Sequence, residues 1–226
     1  MKNLIKRLPV IRFVAKAIYF TCIAPFRSFP GSRDYWKQRY RTGATSGSGS
    51  YRKFAEFKAE VLNGFVKDHE INSVIEFGCG DGNQLKLSDY PSYFGYDVSP
   101  EAIGTCEATF REDTTKTFGL NDFYAGEKAE LALSLDVIYH LVEDEVFEKY
   151  MATLFDASTK FVIIYSSNTD AQERLQAAHV RYRKFSDWVS RHRPGWELIQ
   201  HTPNRYPYSG DDLEGSFSDF YVYKKM

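Results

Sequence analysis

The chain has 226 residues and a net charge of −1, and 43% of its residues are hydrophobic. That length fits one domain with an extension, and that apolar content excludes a wholly disordered chain. The charge is uneven: ten of the 29 Lys/Arg but one of the 30 acidic residues lie within residues 1–41. A basic end suits an anionic surface or partner, whereas the acidic remainder disfavours a polyanion, so no nucleic-acid partner is expected. Cys22, Cys79 and Cys106 have neither pair nor metal-ligand spacing. They read as reduced thiols of a cytoplasmic protein, with no metal site.

Residues 1–30 are basic and apolar together. Their longest charge-free run, Ala17 to Phe26, is ten residues, and a membrane span needs about 20. Arg12 and Lys16 interrupt the apolar stretch, and no small-residue cleavage site follows it. Two readings remain. One is an amphipathic helix lying peripherally on the inner, anionic face of a membrane; the other is a helix packed on the domain.

Residues 31–70 form a helical extension or lid. Its run "TGATSGSGS" (42–50) has linker composition. Aromatic and charged residues flank the run closely, so it also reads as a loop closing over a ligand. The helix that follows sets Phe54, Phe57, Val61, Leu62 and Phe65 at spacings of three and four.

From residue 71 strand and helix alternate. "INSVIEF" is a buried strand, followed by a glycine-rich loop and a short helix. "SYFGYD" (92–97) is the second strand. Ser99 as N-cap and Pro100 at the first helical position open the next helix. "KTFGL" is a weak third strand and "ELALSLD" (130–136) a fourth. The helix after it sets Val142, Val146, Phe147, Tyr150, Met151 and Leu154 on one face. "KFVIIYS" is a wholly apolar strand. The last two runs, "GWELIQHT" and "GSFSDFYVYKK", have no crossover helix between them and should pair antiparallel. The whole describes an open, mostly parallel sheet with helices on both faces, closed by a C-terminal antiparallel hairpin.

In such a sheet, ligands sit beyond the carboxyl ends of the strands, where strand order reverses. "VIEFGCGDGNQL" (74–85) leaves the first strand into that place. Its glycines permit a sharp turn and close approach of a ligand. A dinucleotide loop wants G-x-G-x-x-G; here Asn83 stands at the third position and the spacing is G-x-G-x-G. Asp97 ends the second strand 21 residues after Glu76, where a carboxylate can accept both hydroxyls of a ribose. The loop has no Lys or Arg for phosphates. A ligand with ribose hydroxyls, a carboxylate and no phosphate is S-adenosyl-L-methionine.

The chain resembles the class I S-adenosylmethionine-dependent methyltransferases. "VIEFGCGDG" is similar to that family's first motif, "YFGYDVSP" to its second and "LALSLDVIYHL" to its fourth. The resemblance covers residues 71–226, the methyltransferase domain, and implies a Rossmann-like, seven-stranded sheet. It implies that Glu76 and the loop Gly78, Cys79, Gly80, Asp81 and Gly82 hold the methionine part, and Asp97 the ribose. Asn121, Asp122 or Phe123 would border the adenine, and Asp136 would sit near the donor methyl.

Structural duties compete with each role. The glycines could form an ordinary tight turn, and Asp97 or Asp136 could cap the helix after it. His140 in "DVIYHL" is either a buried or capping histidine or a general base, with His179 a second candidate. Arg181, Tyr182 and Arg183 in "HVRYR" are either a solvated helix face, capped at Ser186, or grip a small-molecule or glycan acceptor. His69, His192 and His201 read as surface residues. Two other functions stay open: a non-catalytic nucleoside-binding protein and an NAD-dependent oxidoreductase.

Overall fold

A computed structural model describes residues 29–173, 176–211 and 213–226. The choice between membrane contact and packing for residues 1–30 therefore falls almost wholly outside the described residues. No helix among those described is long and apolar enough to cross a membrane.

Two helices come first, α1 (Ser32–Arg41) and α2 (Arg52–Asp68). The sheet strands are β1 (Val74–Phe77), β2 (Tyr93–Asp97), β3 (Lys116–Leu120), β4 (Ala129–Leu135), β5 (Ser158–Ser166), β6 (Trp196–Thr202) and β7 (Asp219–Lys225). Between them lie α3 (Pro100–Thr109), α4 (Asp144–Asp156) and α5 (Phe185–His192). The seven strands run in the order β3-β2-β1-β4-β5-β7-β6. β1 to β5 pair in parallel, and β7 lies antiparallel between β5 and β6. Order reverses between β1 and β4, and that gap is where a crevice must open.

Period-two alternation divides the core. Leu131, Leu133 and Leu135 of β4 and Ile163 and Tyr165 of β5 meet Phe57, Leu62, Phe65 and Val66 of α2 and Ile103 and Cys106 of α3. Ala132, Val162 and Ile164 face the other way, onto Phe147, Met151, Leu154 and Phe155 of α4 and Phe185, Trp188 and Val189 of α5. The N-terminal extension thus shares the core of one face through α2.

Ser99 caps α3 as expected, accepting from the Ala102 N–H at 3.3 Å, with Pro100 at the first turn. Three local expectations are corrected. The segment after the glycine loop is a single tight turn, Leu85–Leu87, and not an α-helix. Ser186 lies inside α5, whose cap position is Lys184. Val146 is 40% exposed, because it lies at the rim of the crevice.

α1 is anchored by one carboxylate. Glu143 Oε1 accepts from the Ser32 N–H at 2.9 Å and Oε2 from the Ser32 hydroxyl at 2.5 Å, while Ser32 Oγ accepts from the Val142 N–H at 2.9 Å. A carboxylate here satisfies an orphan donor of the first turn and complements the helix dipole. Glu143→Ala should lower stability by about 1–2 kcal/mol and speed proteolysis between residues 29 and 52. Denaturant titration and a timed digest check both effects; an unchanged digest would mean that α1 is held elsewhere.

Candidate active site

The crevice lies beyond the carboxyl ends of β1 and β4 and contains about 850 Å³ of atom-free space, its open mouth included. The strands and the loops that leave them supply Glu76, Gly78, Cys79, Gly80, Asp97, Leu135 and Asp136 to its floor. The extension roofs it with Ser32, Trp36 and Tyr40 of α1, Ser46 and Ser50 of the following loop and Lys58 of α2. Tyr150 braces the gap between β1 and β4, its hydroxyl 2.8 Å from the Phe77 carbonyl and 2.7 Å from Ser134 Oγ.

The glycines divide the work. Gly80 has φ +60°, and a Cβ there would meet Ser46 Oγ at 2.4 Å and the Tyr40 hydroxyl at 2.9 Å. Only glycine lets the roof come so near the loop. Gly82 does not line the crevice; a Cβ on it would meet Cys106 Sγ at 2.9 Å, so it lets the loop lie on α3. Asp81 also faces away from the crevice and fastens the roof. It accepts from the Ser46 N–H (2.9 Å), the Tyr51 hydroxyl (2.8 Å) and the Asn83 N–H (3.2 Å), while its own N–H donates to Ser46 Oγ (3.0 Å). Burial would raise its pKa, but these donors hold it below the usual carboxylate range. Residues 42–50 are thus tied to the glycine loop and are no free linker.

Two carboxylates lie deep in the crevice. Glu76 is 6% exposed and accepts from the Tyr93 hydroxyl at 2.6 Å. Burial pushes it up to about 7, against the pull of Tyr93 and of the Lys58 charge. Asp97 accepts from the Gly80 N–H at 3.0 Å and the Ser99 N–H at 2.9 Å. Burial pushes it up to about 6 despite those donors. Asn121 lines the crevice beyond Asp97, and its Oδ1 is buried without a partner. Its two neighbours point elsewhere: Asp122 pairs with Arg33, and Phe123 is 76% exposed.

Asp136 sits just past β4 with φ +59°, in the left-handed region. A non-glycine residue stays there only where its surroundings over-determine it. They do: Oδ2 is 2.8 Å from Lys58 Nζ, while Oδ1 accepts from the hydroxyls of Tyr139 and Ser218, both at 3.0 Å. Its backbone N–H donates to the Tyr165 carbonyl at 2.8 Å.

A second cavity adjoins the first, walled by Phe54, Tyr139, Tyr182 and Phe217 and by Ser48, Ser216 and Ser218. Trp36, Ser46, Ser50, Asp136 and His140 line both cavities. His140 Nδ1 is 3.0 Å from the His179 carbonyl oxygen, which can only accept; Nδ1 therefore carries the proton and Nε2 the lone pair. Desolvation pushes His140 down to about 4. His179, also at about 4 through desolvation and the Arg39 charge, stacks on Tyr35 at 4.2 Å between ring centroids.

Residues 179–183 run along 139–144. The Arg181 N–H donates to the Tyr139 carbonyl at 2.8 Å, and Arg181 Nη1 to the Val142 carbonyl at 2.9 Å. Arg183 donates to the carbonyls of Leu141 (3.1 Å) and Val142 (2.8 Å) and to Asp144 Oδ1 (2.6 Å). The guanidinium forks are thus turned onto the chain itself, and Tyr182 and His179 face the second cavity. Sequence reasoning missed Lys58, Gln84 and Trp36. Lys58 had a legible signal: it lies four residues after Phe54 and four before Leu62, on the apolar stripe of α2.

No protein-family model matches the sequence, and no curated protein matches it. Solved structures do match in shape. One is magnesium protoporphyrin IX methyltransferase from Synechocystis PCC 6803 with bound S-adenosylmethionine. It is 15% identical with TM-score 0.58 over 95% of this chain and 97% of that one. A second is the N-methyltransferase NodS from Bradyrhizobium japonicum WM9 with S-adenosylhomocysteine, 14% identical with TM-score 0.59 over 94% and 97%. A third is an O-methyltransferase family protein from Burkholderia thailandensis, 9% identical with TM-score 0.65 over 96% and 71%. The chain has the Rossmann-like fold of the class I S-adenosylmethionine-dependent methyltransferases, a fold that holds S-adenosylmethionine in the first of these neighbours and S-adenosylhomocysteine in the second.

Proposed function

We propose that the chain is an S-adenosylmethionine-dependent methyltransferase that methylates a hydroxyl of a small-molecule acceptor, such as a saccharide or glycan precursor. The observation that carries this reading is the seam of two cavities at Asp136 and His140. Group transfer needs a donor and an acceptor to meet at one place while water is kept out. The residues of the first cavity fit the cofactor: Asp97 would accept from the ribose hydroxyls, Glu76 from the ammonium, and the orphaned Asn121 Oδ1 from the adenine amino group. S-adenosylmethionine supplies a methyl group on a positively charged sulfur, already activated for displacement.

The chain's own contribution is alignment and proton handling. Trp36 and the 46–50 loop exclude water from the seam. His140 Nε2 is the proton acceptor for the hydroxyl, oriented by the Nδ1–H bond to His179. With its pKa near 4, that lone pair stays available at neutral pH. The aromatic walls and serines of the second cavity suit a hydroxyl-bearing ring stacked on a side-chain face. This support for a saccharide replaces the arginine forks, which are committed to Asp144 and to backbone carbonyls.

S-adenosylhomocysteine should raise the melting temperature; stabilisation by NAD instead would favour an oxidoreductase. Asp97→Ala should weaken S-adenosylhomocysteine binding by about 2–3 kcal/mol in calorimetry, since charge-assisted hydrogen bonds of ~1.5–3 kcal/mol each are replaced in part by water.

A pH dependence follows. The ionised forms of Glu76 and Asp97 accept from the ligand, and in the free protein they require pH above about 7 and about 6. Affinity should therefore climb between pH 5.5 and pH 7.5 and then level, and Glu76→Gln should flatten the climb. Affinity independent of pH over that range would remove these carboxylates from the cofactor site.

For transfer itself, His140→Asn should cut turnover by about 10²–10⁴-fold and leave S-adenosylhomocysteine affinity within about threefold. Single-turnover kinetics beside calorimetry separates the two effects. Turnover that survives the change would exclude His140 as the base.

A further inference from the structure

Lys58 is the chemically unusual residue of the crevice. Its side chain is 1% exposed, on the face of α2 that otherwise packs Phe54, Phe57 and Leu62 into the core. Burying an ammonium is costly unless its protons are satisfied. Among the described residues its hydrogen-bond partner is Asp136 Oδ2, with the Tyr165 ring face 5.2 Å away. An ammonium has three N–H donors, and Lys58 lines the cofactor crevice.

A complementary group stands nearby. Gln84 is 7% exposed and lines the same crevice; its Nε2 donates to the Ala55 carbonyl of α2 at 3.0 Å, and its Oε1 is buried without a partner. Glu76 lies in the same part of the crevice, close enough for the Lys58 charge to act on it. The wall therefore presents a cation with unused donors beside an anion and an orphan acceptor. Such a set is complementary to a zwitterion, the ammonium facing Glu76 and Gln84 and the carboxylate facing Lys58.

We propose that Lys58 binds the α-carboxylate of the cofactor's amino-acid end, with Glu76 and Gln84 Oε1 taking its ammonium. This inference rests on the cofactor reading above. It makes α2, outside the motifs that resemble known methyltransferases, part of the cofactor site. It also explains how a glycine loop without Lys or Arg can hold an anionic group.

The test compares S-adenosylhomocysteine with its decarboxylated analogue, which keeps the amine and lacks the carboxylate. In calorimetry the wild-type protein should favour S-adenosylhomocysteine by about tenfold or more, the scale of one charged hydrogen bond. Lys58→Met should bring that ratio near one, whereas Glu76→Gln should weaken both ligands alike and keep the ratio. Lys58→Met leaves the half-buried Asp136 without its cation, which could unfold the chain or itself repel a carboxylate. The double variant Lys58→Met with Asp136→Asn removes both charges, and its ratio should also fall to near one in protein shown to be folded by circular dichroism. A wild-type preference that persists in the double variant overturns the assignment of Lys58 alone. Absence of binding of either ligand to the wild-type protein overturns the cofactor reading, and this inference with it.

Discussion

The contact between Lys58 and Asp136 is the constraint on which the site depends. One carboxylate gathers a lysine of α2, a tyrosine of the turn after β4 and a serine just before β7. These groups come from segments up to 160 positions apart (58 to 218), and each is fixed by a different part of the core. Attraction between buried charges offsets their desolvation only where geometry is good and the remaining lone pairs find donors. Here both oxygens of Asp136 do. The same contacts explain why Asp136 persists in the left-handed region: a backbone strained by about 1–3 kcal/mol is tolerated when several bonds require it. Those bonds turn the carboxylate to the boundary between the two cavities.

A second set of bonds governs access. The reciprocal contacts of Ser46 with Asp81, and the Asn83 amide bond to the Ser50 carbonyl at 2.8 Å, lay the 42–50 loop over the glycine loop. They are few and lie at the crevice mouth, whereas α2 is bound through an apolar face. Release of the 42–50 loop alone therefore disrupts a handful of polar contacts and leaves the apolar face of α2 packed. Local opening of this kind is drawn from the least stable part of a fold. Trp36 and Ser46 belong to that roof and also line both cavities, so the roof that covers the first cavity also completes the seam.

The sheet was legible in the sequence because its strands are short, apolar and bounded by turns. β3 matches its expected span, and the antiparallel pairing of β6 with β7 followed from the lack of a crossover helix. Glu76, the glycines and Asp97 were legible because chemistry and backbone demands coincide in one local string. The missing helix after that string was not, since "NQLKLSDYP" has helical composition yet must turn at once into β2. The arginines of "HVRYR" misled for a related reason. A guanidinium fork reads as a ligand site in sequence, but it serves equally well to bind backbone carbonyls, and only tertiary structure brings 141–144 alongside. His140 and His179 were each visible, but their hydrogen bond, across 39 residues, was not.

Lys58 shows where a sequence pattern carried more than was taken from it. On an amphipathic helix, the stripe that contains Phe54, Phe57, Leu62 and Phe65 points at the core. A lysine on that stripe contradicts the pattern unless the core offers it an anion. Local rules are broken most often where function requires it. The anion in the protein is Asp136, and one oxygen of that carboxylate accepts from one of the three lysine donors. Tyr139 and Ser218 donate to the other oxygen of the same carboxylate. The imbalance thus falls on the lysine side, facing the crevice. A buried cation in excess of its internal partner favours an anionic ligand group there, and the extension that carries it belongs to the site as much as the strands do.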